Sequence, residues 1–400
     1  MPDENKVRII VNGEAAEYEH WTDVSITSEL NTLARSFQVG TTARLPQSST
    51  LLRSFELGDE IQIYIGNDLV LTGYVDALPI SYNATNVAAA IVGRSRTEDL
   101  VDCSPAPLGH DFADTVNSAK WSATRSPGNF VDPAITKAAI QFISVPLKQA
   151  VAQLIAPYGI HLICEPDDAV VNGKVNYTVR DDAPILKALQ NLVATTGLYF
   201  IDDEYGNLKI VDQKKRERCA GSLSLGENVL SASAQFDGSK RFSNYWLNCT
   251  KKGSDGQSGK ALQAIAESAD PEIKRYRFLR KTDQKQNGKY DSTEADYQKA
   301  QYYKTTYEVA GWRQQGKTGE LWKANTLVAI RDDLLNNSQE MLITKVTYTL
   351  SDNGMLTSLE CIPAAGFRLE NEADTQKTEK KARSSSSASW SDLDLVGPSK

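Results

Sequence analysis

The sequence predicts a mostly β, α+β protein. Two related β-barrel, tube-like regions flank a small duplicated α+β unit, and a disordered tail ends the chain. Three observations carry this. Short period-two apolar runs bounded by turn residues fill both ends of the chain. A helix–strand plan occurs twice in the middle. The strand and turn order of residues 58–93 returns, with little letter identity, at 326–362.

The first β region covers residues 1–102. Val7-Arg-Ile-Ile-Val runs into the turn Asn12-Gly13, and Glu60-Ile-Gln-Ile-Tyr-Ile alternates apolar and polar residues before Gly66-Asn-Asp. Further strands follow at Leu69–Val75 and Val87–Val92. Several short strands with turns between them suggest a barrel or sandwich. Residues 103–142 hold Pro105, Pro107, Pro127 and Pro133 and read as an irregular linker, pinned to a neighbour by Trp121 and Phe130.

The duplicated α+β unit covers residues 143–224. Ser144-Val-Pro-Leu-Lys-Gln-Ala-Val-Ala-Gln-Leu-Ile matches Asp182-Ala-Pro-Ile-Leu-Lys-Ala-Leu-Gln-Asn-Leu-Val at a constant offset. Ser144 and Asp182 are expected helix caps, each followed by a proline where a missing N–H is harmless. Leu147, Val151, Leu154 and Ile155 recur at helical spacing, as do Ile185, Leu189, Leu192 and Val193. Gly159 and Gly197 suit a left-handed stop. Strands then follow at residues 160–164 and 198–201, and Glu204-Tyr-Gly-Asn turns the second into a hairpin with Leu208-Lys-Ile-Val.

Residues 225–370 are the second β region. Strands are expected at Val229–Phe236, Tyr245–Thr250, Thr326–Ile330, Glu340–Leu350 and Met355–Ile362. A polar loop is expected at 251–260, and a helix at 292–310 carrying Ala295, Tyr297, Ala300, Tyr303 and Tyr307. The tail, 371–400, is rich in serine and charge and cannot bury enough apolar area to order itself. It contains one apolar island, Trp390, Leu393 and Leu395, a candidate docking segment for a partner in an otherwise inert tail.

Composition narrows the function. The 400 residues are 40% hydrophobic and 24% charged, enough to bury a real core, and the net charge is −7. An acidic chain is poorly suited to bind phosphates, so DNA fits only as passing cargo. The five cysteines include no CxxC pair and read as free thiols in a reducing compartment. The start, MPDENKVRII, has no signal-peptide pattern, and no run of 18 apolar residues offers a membrane anchor.

The search for chemistry returns little. Gly311-Trp-Arg-Gln-Gln-Gly-Lys-Thr318 fits the phosphate-cradling pattern GxxxxGK[ST]. That mechanism needs a strand before the loop and a helix after it. Here a tyrosine-rich helical stretch is expected before it and a turn and strand after it, so the match reads as chance and Lys317 as solvated. His161 with Glu165, and His110 with Asp114, are too sparse for a metal site, and His20 stands alone. The pairs Asp167-Asp168, Asp181-Asp182, Asp202-Asp203 and Asp332-Asp333 sit at element ends and suit caps and turns. The basic run Lys214–Cys219 reads as a solvated loop. No catalytic residue, cofactor site or metal site is expected. A bare, acidic, duplicated β architecture suits assembly, since two like barrels per chain can alternate around a ring.

Residues Ala90-Ile-Val-Gly-Arg-Ser-Arg-Thr-Glu-Asp-Leu-Val-Asp-Cys-Ser104 resemble the corresponding segment of the tail proteins, or baseplate hubs, of Mu-like bacteriophages. Asn12-Gly13, Leu57-Gly-Asp-Glu, the Pro-Leu-Lys helix, Gly197-Leu-Tyr-Phe and Gly206-Asn-Leu follow in hub-like order, so the resemblance spans about 5–367. It implies a homotrimer whose two tube-like domains per chain build a pseudo-sixfold ring. That ring would meet the tail tube protein on one side and the central spike protein on the other, among other baseplate proteins, with DNA leaving through its channel. The expected location is the virion tail baseplate, assembled in the host cytoplasm. Three other readings remain open. One is the hub of a phage-like contractile injection or secretion particle. Another is a glycan-binding tail-tip protein with an exposed aromatic cluster from Trp312, Trp322 and Tyr303. The last is a P-loop ATPase.

Overall fold

A computed structural model describes residues 5–367 except 19–20, 31, 44–54, 83–86, 107–139, 167, 181–182, 194–195, 252–261, 284–298 and 317–318. The docking segment Trp390, Leu393 and Leu395, the pins Trp121 and Phe130, His20, His110, Asp182 and Lys317 all lie outside the described residues.

The chain is mostly β. The first region contains β1 (Val7–Val11), β2 (Glu14–Tyr18), β3 (Asp23–Glu29), β4 (Ser36–Ala43), β5 (Glu60–Ile65), β6 (Asp68–Ala77), β7 (Ile80–Tyr82) and β8 (Val87–Ser95). Helix α1 (Glu98–Asp102) follows. The middle unit contains β9 (Gln141–Pro146), α2 (Leu147–Ile155), β10 (Leu162–Cys164), α3 (Asp168–Val171), β11 (Lys174–Thr178), α4 (Ile185–Val193), β12 (Leu198–Asp202) and β13 (Leu208–Asp212). The second region contains β14 (Glu217–Ser224), β15 (Val229–Phe236), β16 (Asn244–Lys251), β17 (Leu262–Ala269), β18 (Phe278–Asp283), β19 (Tyr303–Ala310), β20 (Thr326–Arg331), β21 (Glu340–Ser351) and β22 (Gly354–Ile362).

Both β regions belong to one sheet, ordered β15-β19-β22-β21-β3-β4-β8-β6-β5-β1-β2. Strand β14, at the end of the stretch read as the α+β unit, joins this sheet by pairing with β20, and β20 pairs with β21. The regions meet where β21 pairs with β3. Their shared core runs from Ile9, Ile26, Ile61 and Ile63 through Tyr307, Trp312, Trp322 and Leu359. At Asn12 and Gly13 both φ angles are positive, 49° and 69°, the turn an Asn-Gly hairpin needs between β1 and β2.

The second region repeats the first. Strands β3-β4-β8-β6-β5 are neighbours in that order, and so are β15-β19-β22-β21-β20, each pair antiparallel. Phe37 pairs with Gly93 and Gly93 with Val75. At one constant offset along the chain, Thr305 pairs with Cys361 and Cys361 with Ile343. Both copies carry a bulge at one place, between Val75 and Ala77 in the first and between Ile343 and Lys345 in the second. A bulge is a positioned bend, so its recurrence marks a shared backbone plan beneath divergent letters. The copies differ in their insertions. A short link joins β3 to β4, whereas the three-stranded sheet β17-β16-β18 stands between β15 and β19.

The stretch expected as a helix at 292–310 lies outside the described residues up to 298, is helical at 299–301 and is strand β19 from Tyr303 on. Tyr303, Thr305, Tyr307 and Val309 are buried while alternate residues are not. Tyr303 and Tyr307 fit helical spacing as well, but Thr305 and Val309 complete a period of two.

In the middle unit α2 and α4 are each nine residues long. Their buried positions, Leu147, Ala150, Val151, Leu154 and Ile155 against Ile185, Ala188, Leu189, Leu192 and Val193, keep the offset of the sequence repeat throughout. These residues share a core with Phe200, Leu208 and Ile210. Gly159 and Gly197 take the expected left-handed φ, 64° and 74°. Ser144 does not cap α2. It sits in β9 at φ 56°, its N–H donates to Asn176 Oδ1 at 2.8 Å, and the helix starts after Pro146 without a side-chain cap. Pairing of β9 with β11 holds Ser144 within a strand, which overrides its capping tendency.

Candidate functional site: the seams that lock the units together

The residues singled out for chemistry are used for structure. Trp312 is buried, and its Nε1–H is shared between the carbonyls of Thr349 and Leu356, both at 3.1 Å. Arg313 bridges back to Leu321, donates to the Gly319 carbonyl at 2.9 Å and forms an ion pair with Asp68 at 2.8 Å. Gln314 accepts from Gly221 N and donates to the Leu321 carbonyl. The loop from Gly311 thus follows a strand, as a phosphate loop must, but among the described residues the next element is strand β20 and not an α-helix.

Asp203 accepts from the N–H groups of Tyr205 and Asn207 and shapes the β12–β13 turn. Asp332 accepts from Leu335 N in another turn. Arg216 lies over the Phe367 ring, and Arg218 pairs with Glu340 at 2.8 Å. His161 is exposed, and Glu165 pairs with Lys209. Among the described residues no cluster of three or more His, Cys, Asp or Glu could hold a metal, and no helix is long and apolar enough to cross a membrane. The exposed aromatic cluster expected from Trp312, Trp322 and Tyr303 is not formed by these residues. Trp312, Trp322 and Tyr303 are all buried in the sheet core, where large aromatic area is most stabilising.

What the polar side chains build is a set of seams. The first joins the first β region to the middle unit through the segment 90–104, which forms β8, a buried turn and α1. Arg35 donates from Nε to Asp202 Oδ1 at 3.2 Å, from its own N–H to Asp202 Oδ2, and from Nη1 to the Val70 carbonyl at 2.8 Å. Ser95 Oγ donates to Asp202 Oδ2 at 2.8 Å. Burial pushes the Asp202 carboxyl up, while Arg35 and Ser95 pull it down. Leu33 and Leu100 from the first region complete the core of the middle unit. At the tip of the β12–β13 hairpin, Gly206 has φ 76° and lies under Arg96, where a Cβ would come within 2.9 Å of the Arg96 Cβ, so both conformation and space require glycine.

The other face of that hairpin forms the second seam. Tyr199 and Val211 pack with Leu30, Leu342 and Phe367, and the Tyr199 hydroxyl is hydrogen-bonded to Asn325. One hairpin therefore touches both β regions.

Beside the first seam Arg94 faces three carboxylates, Asp76, Glu98 and Asp102, at 3.0, 3.0 and 2.7 Å. One guanidinium cannot neutralise three charges. Burial first, then Asp76, pushes the Glu98 carboxyl up to about 8, against the pull of Arg94. A carboxyl raised on folding stabilises the fold below its unfolded value, and that contribution is lost as pH rises through about 8. Glu98→Gln keeps the shape without the charge. Denaturant melts at pH 5 and pH 9 should show wild type losing stability over this interval and the variant losing less. An equal loss in both would show that Glu98 does not hold the proton.

Comparison with known proteins places these features. Residues 6–95 match the family model for the N-terminal domain of the Mu phage baseplate assembly protein GpP-like family, and residues 292–370 match the model for the fourth domain of the Mu phage baseplate assembly protein GpP. The chain is 24% identical to the baseplate hub protein gp44 of Escherichia phage Mu over 379 residues, covering 92% of this chain and 90% of that one. Two solved structures share the fold. The 43 kDa tail protein of prophage MuSo2 from Shewanella oneidensis has a TM-score of 0.70 at 24% identity, over 90% of this chain and 98% of that one. The tail protein from Neisseria meningitidis MC58 has a TM-score of 0.68 at 16% identity, over 90% and 98%. These likenesses support a Mu-like baseplate hub protein with a structural role in the virion tail.

Proposed function

We propose that this chain is the baseplate hub of a contractile phage tail and acts as a homotrimer. Each chain contributes two like sheet units, so three chains give a ring of six. One side of this ring would match the sixfold tail tube protein and the other would seat the threefold spike protein, with further baseplate proteins around it. DNA would pass through the ring without being held, which suits a net charge of −7. Assembly would take place in the host cytoplasm. The observation that carries this reading is the five-strand unit present twice in one chain and joined edge to edge through β21 and β3. The locked seams support it, because an adaptor that transmits force must keep its units in fixed relation.

Light scattering on a sizing column tests the reading. A particle of three times the 44.0 kDa chain mass, annular by negative stain, is expected. A discrete dimer or tetramer would sink it, since neither presents six units.

A further inference from the structure

Among the described residues the duplication leaves two strand edges without the neighbour that their counterparts have. In the first copy the outer edge of β3 is covered by β21 of the second copy, with Tyr348 opposite Ile26, Thr349 opposite Ser25 and Leu350 opposite Val24. The counterpart of β3 is β15, because Ile26 pairs with Phe37 as Ala234 pairs with Thr305. The counterpart of the covering half of β21 is β7. Leu350 pairs with Met355 in the second copy, and at the same constant offset in the first copy Tyr82 pairs with Val87. Among the described residues β15 pairs in the sheet only with β19, and β7 only with β8.

Among the described residues both edges are open where the pairing would form. Exposed edge strands normally carry charge, proline or a bulge that blocks further pairing. Val229-Leu-Ser-Ala-Ser-Ala-Gln-Phe has no charge and no proline, and its one register shift, between Val229 and Ser231, precedes residues 232–234, while Leu230 and Phe236 are 59% and 54% exposed. Ile80-Ser-Tyr is likewise uncharged, with Ile80 53% and Tyr82 83% exposed. The nearby Pro79 does not block this edge. Its carbonyl accepts from Ala90 N at 3.0 Å, so Pro79 faces β8. Alternation along the strand then turns the N–H and C=O of Ile80 and Tyr82 outward.

We infer that β15 of one protomer pairs antiparallel with β7 of a second copy, repeating between chains the junction that β3 and β21 make within one. Transferring the internal register sets Ile80 opposite Ala234, Ser81 opposite Ser233 and Tyr82 opposite Ala232. The contact is head to tail, with each chain offering one edge of each kind, so it propagates around a ring until the last β7 meets the first β15. The large-against-small pairing of Tyr82 with Ala232 and Ile80 with Ala234 leaves room for both apolar side chains. The inference rests on the self-assembling reading above and names its interface.

Ser81 and Ser233 supply the test. In the template Thr27 Oγ1 and Thr347 Oγ1, one step of two along the same face, lie 3.1 Å apart, which marks close pairs. Directly opposite residues of that class have Cα atoms about 4.5 Å apart, within reach of a disulfide, whereas diagonal neighbours at about 7–8 Å are not. The full-length Ser81→Cys/Ser233→Cys variant, mildly oxidised, should shift on a non-reducing gel from 44.0 kDa to covalent dimers and trimers. The single variants, with the native thiols present, should not. The register-shifted pair Ser81→Cys/Ser231→Cys should stay at their level. Light scattering on the same samples separates the two ideas. A particle of three chain masses with no bond between 81 and 233 overturns this pairing and leaves the trimer standing. Monomers at every concentration, with no cross-link, overturn both. Equal cross-linking by the shifted pair overturns the register.

Discussion

Replacing Asp202 by alanine lowers the unfolding free energy by about 3–5 kcal/mol and loosens the middle unit from the sheet. The size follows from what is left behind. Arg35 is mostly buried, with 17% of its side chain exposed, and its guanidinium points at the Asp202 carboxylate, the Asp202 carbonyl and the Val70 carbonyl. Without the carboxylate a buried cation keeps only neutral acceptors, and removing one member of a buried pair typically costs that amount. Ser95 Oγ and the Arg35 backbone N–H each lose one acceptor as well, keeping only Thr97 Oγ1 and Ser95 Oγ as partners. The double variant Arg35→Met/Asp202→Leu should recover most of the loss, because an apolar pair of similar volume needs no charge compensation. Urea melts of the three proteins measure this. Hydrogen exchange should show extra opening at β12 and α1. A loss under about 1 kcal/mol in Asp202→Ala would mean that the seam is wet and that the hydrophobic contacts of Leu33 and Leu100 hold it alone.

Periodicity made the fold class legible, and it failed where two periods coincide. The helix repeat could be read from spacing alone, since the residues at 147–155 and 185–193 occupy equivalent buried positions. The second duplication was visible only as an order of strands and turns, because pairing constrains backbone spacing and the outward side chains drift. The bulges at residue 76 and residue 344 carry no letter signature. The helical expectation holds at 299–301 and fails over β19, where Tyr303 and Tyr307 satisfy both periods and only burial of Thr305 resolves the ambiguity. Trp312 and Trp322 could not be placed inside or outside from sequence, since aromatics serve cores and binding faces alike. The seams were not legible at all. Arg35 and Asp202 lie 167 positions apart, and nothing local distinguishes Asp202 from the turn-forming Asp203 beside it. The open edges were in principle readable as uncharged strands, but an edge is known to be an edge only once its neighbours are.

Leu154→Asp, and separately Leu192→Asp, should each destabilise the middle unit by several kcal/mol, and the pair together should unfold it. Both side chains lie in the shared core with Leu189, Phe200 and Ile210. An aspartate there leaves a carboxylate without a partner, or holds it protonated at a comparable free-energy cost. The helices have no reserve of their own. At nine residues each is shorter than the ~12–15 needed for even marginal helicity in water, so it exists by packing. Neighbouring Gln153 is exposed on the same helix, and Gln153→Asp should change stability by no more than about 0.5 kcal/mol. Far-UV circular dichroism should report loss of helix in the double variant, while exchange protection in β3, β4, β8 and β22 persists, since those strands draw on the separate sheet core. The equivalence of the two sites sharpens the test. If the helix repeat is a repeat of packing, the two single substitutions should cost alike to within about 1 kcal/mol, because each removes the same position from one of two matching faces. A soluble, normally stable double variant would show that the two helices do not share a core, and a large loss at one site alone would show a similarity of letters without a similarity of burial.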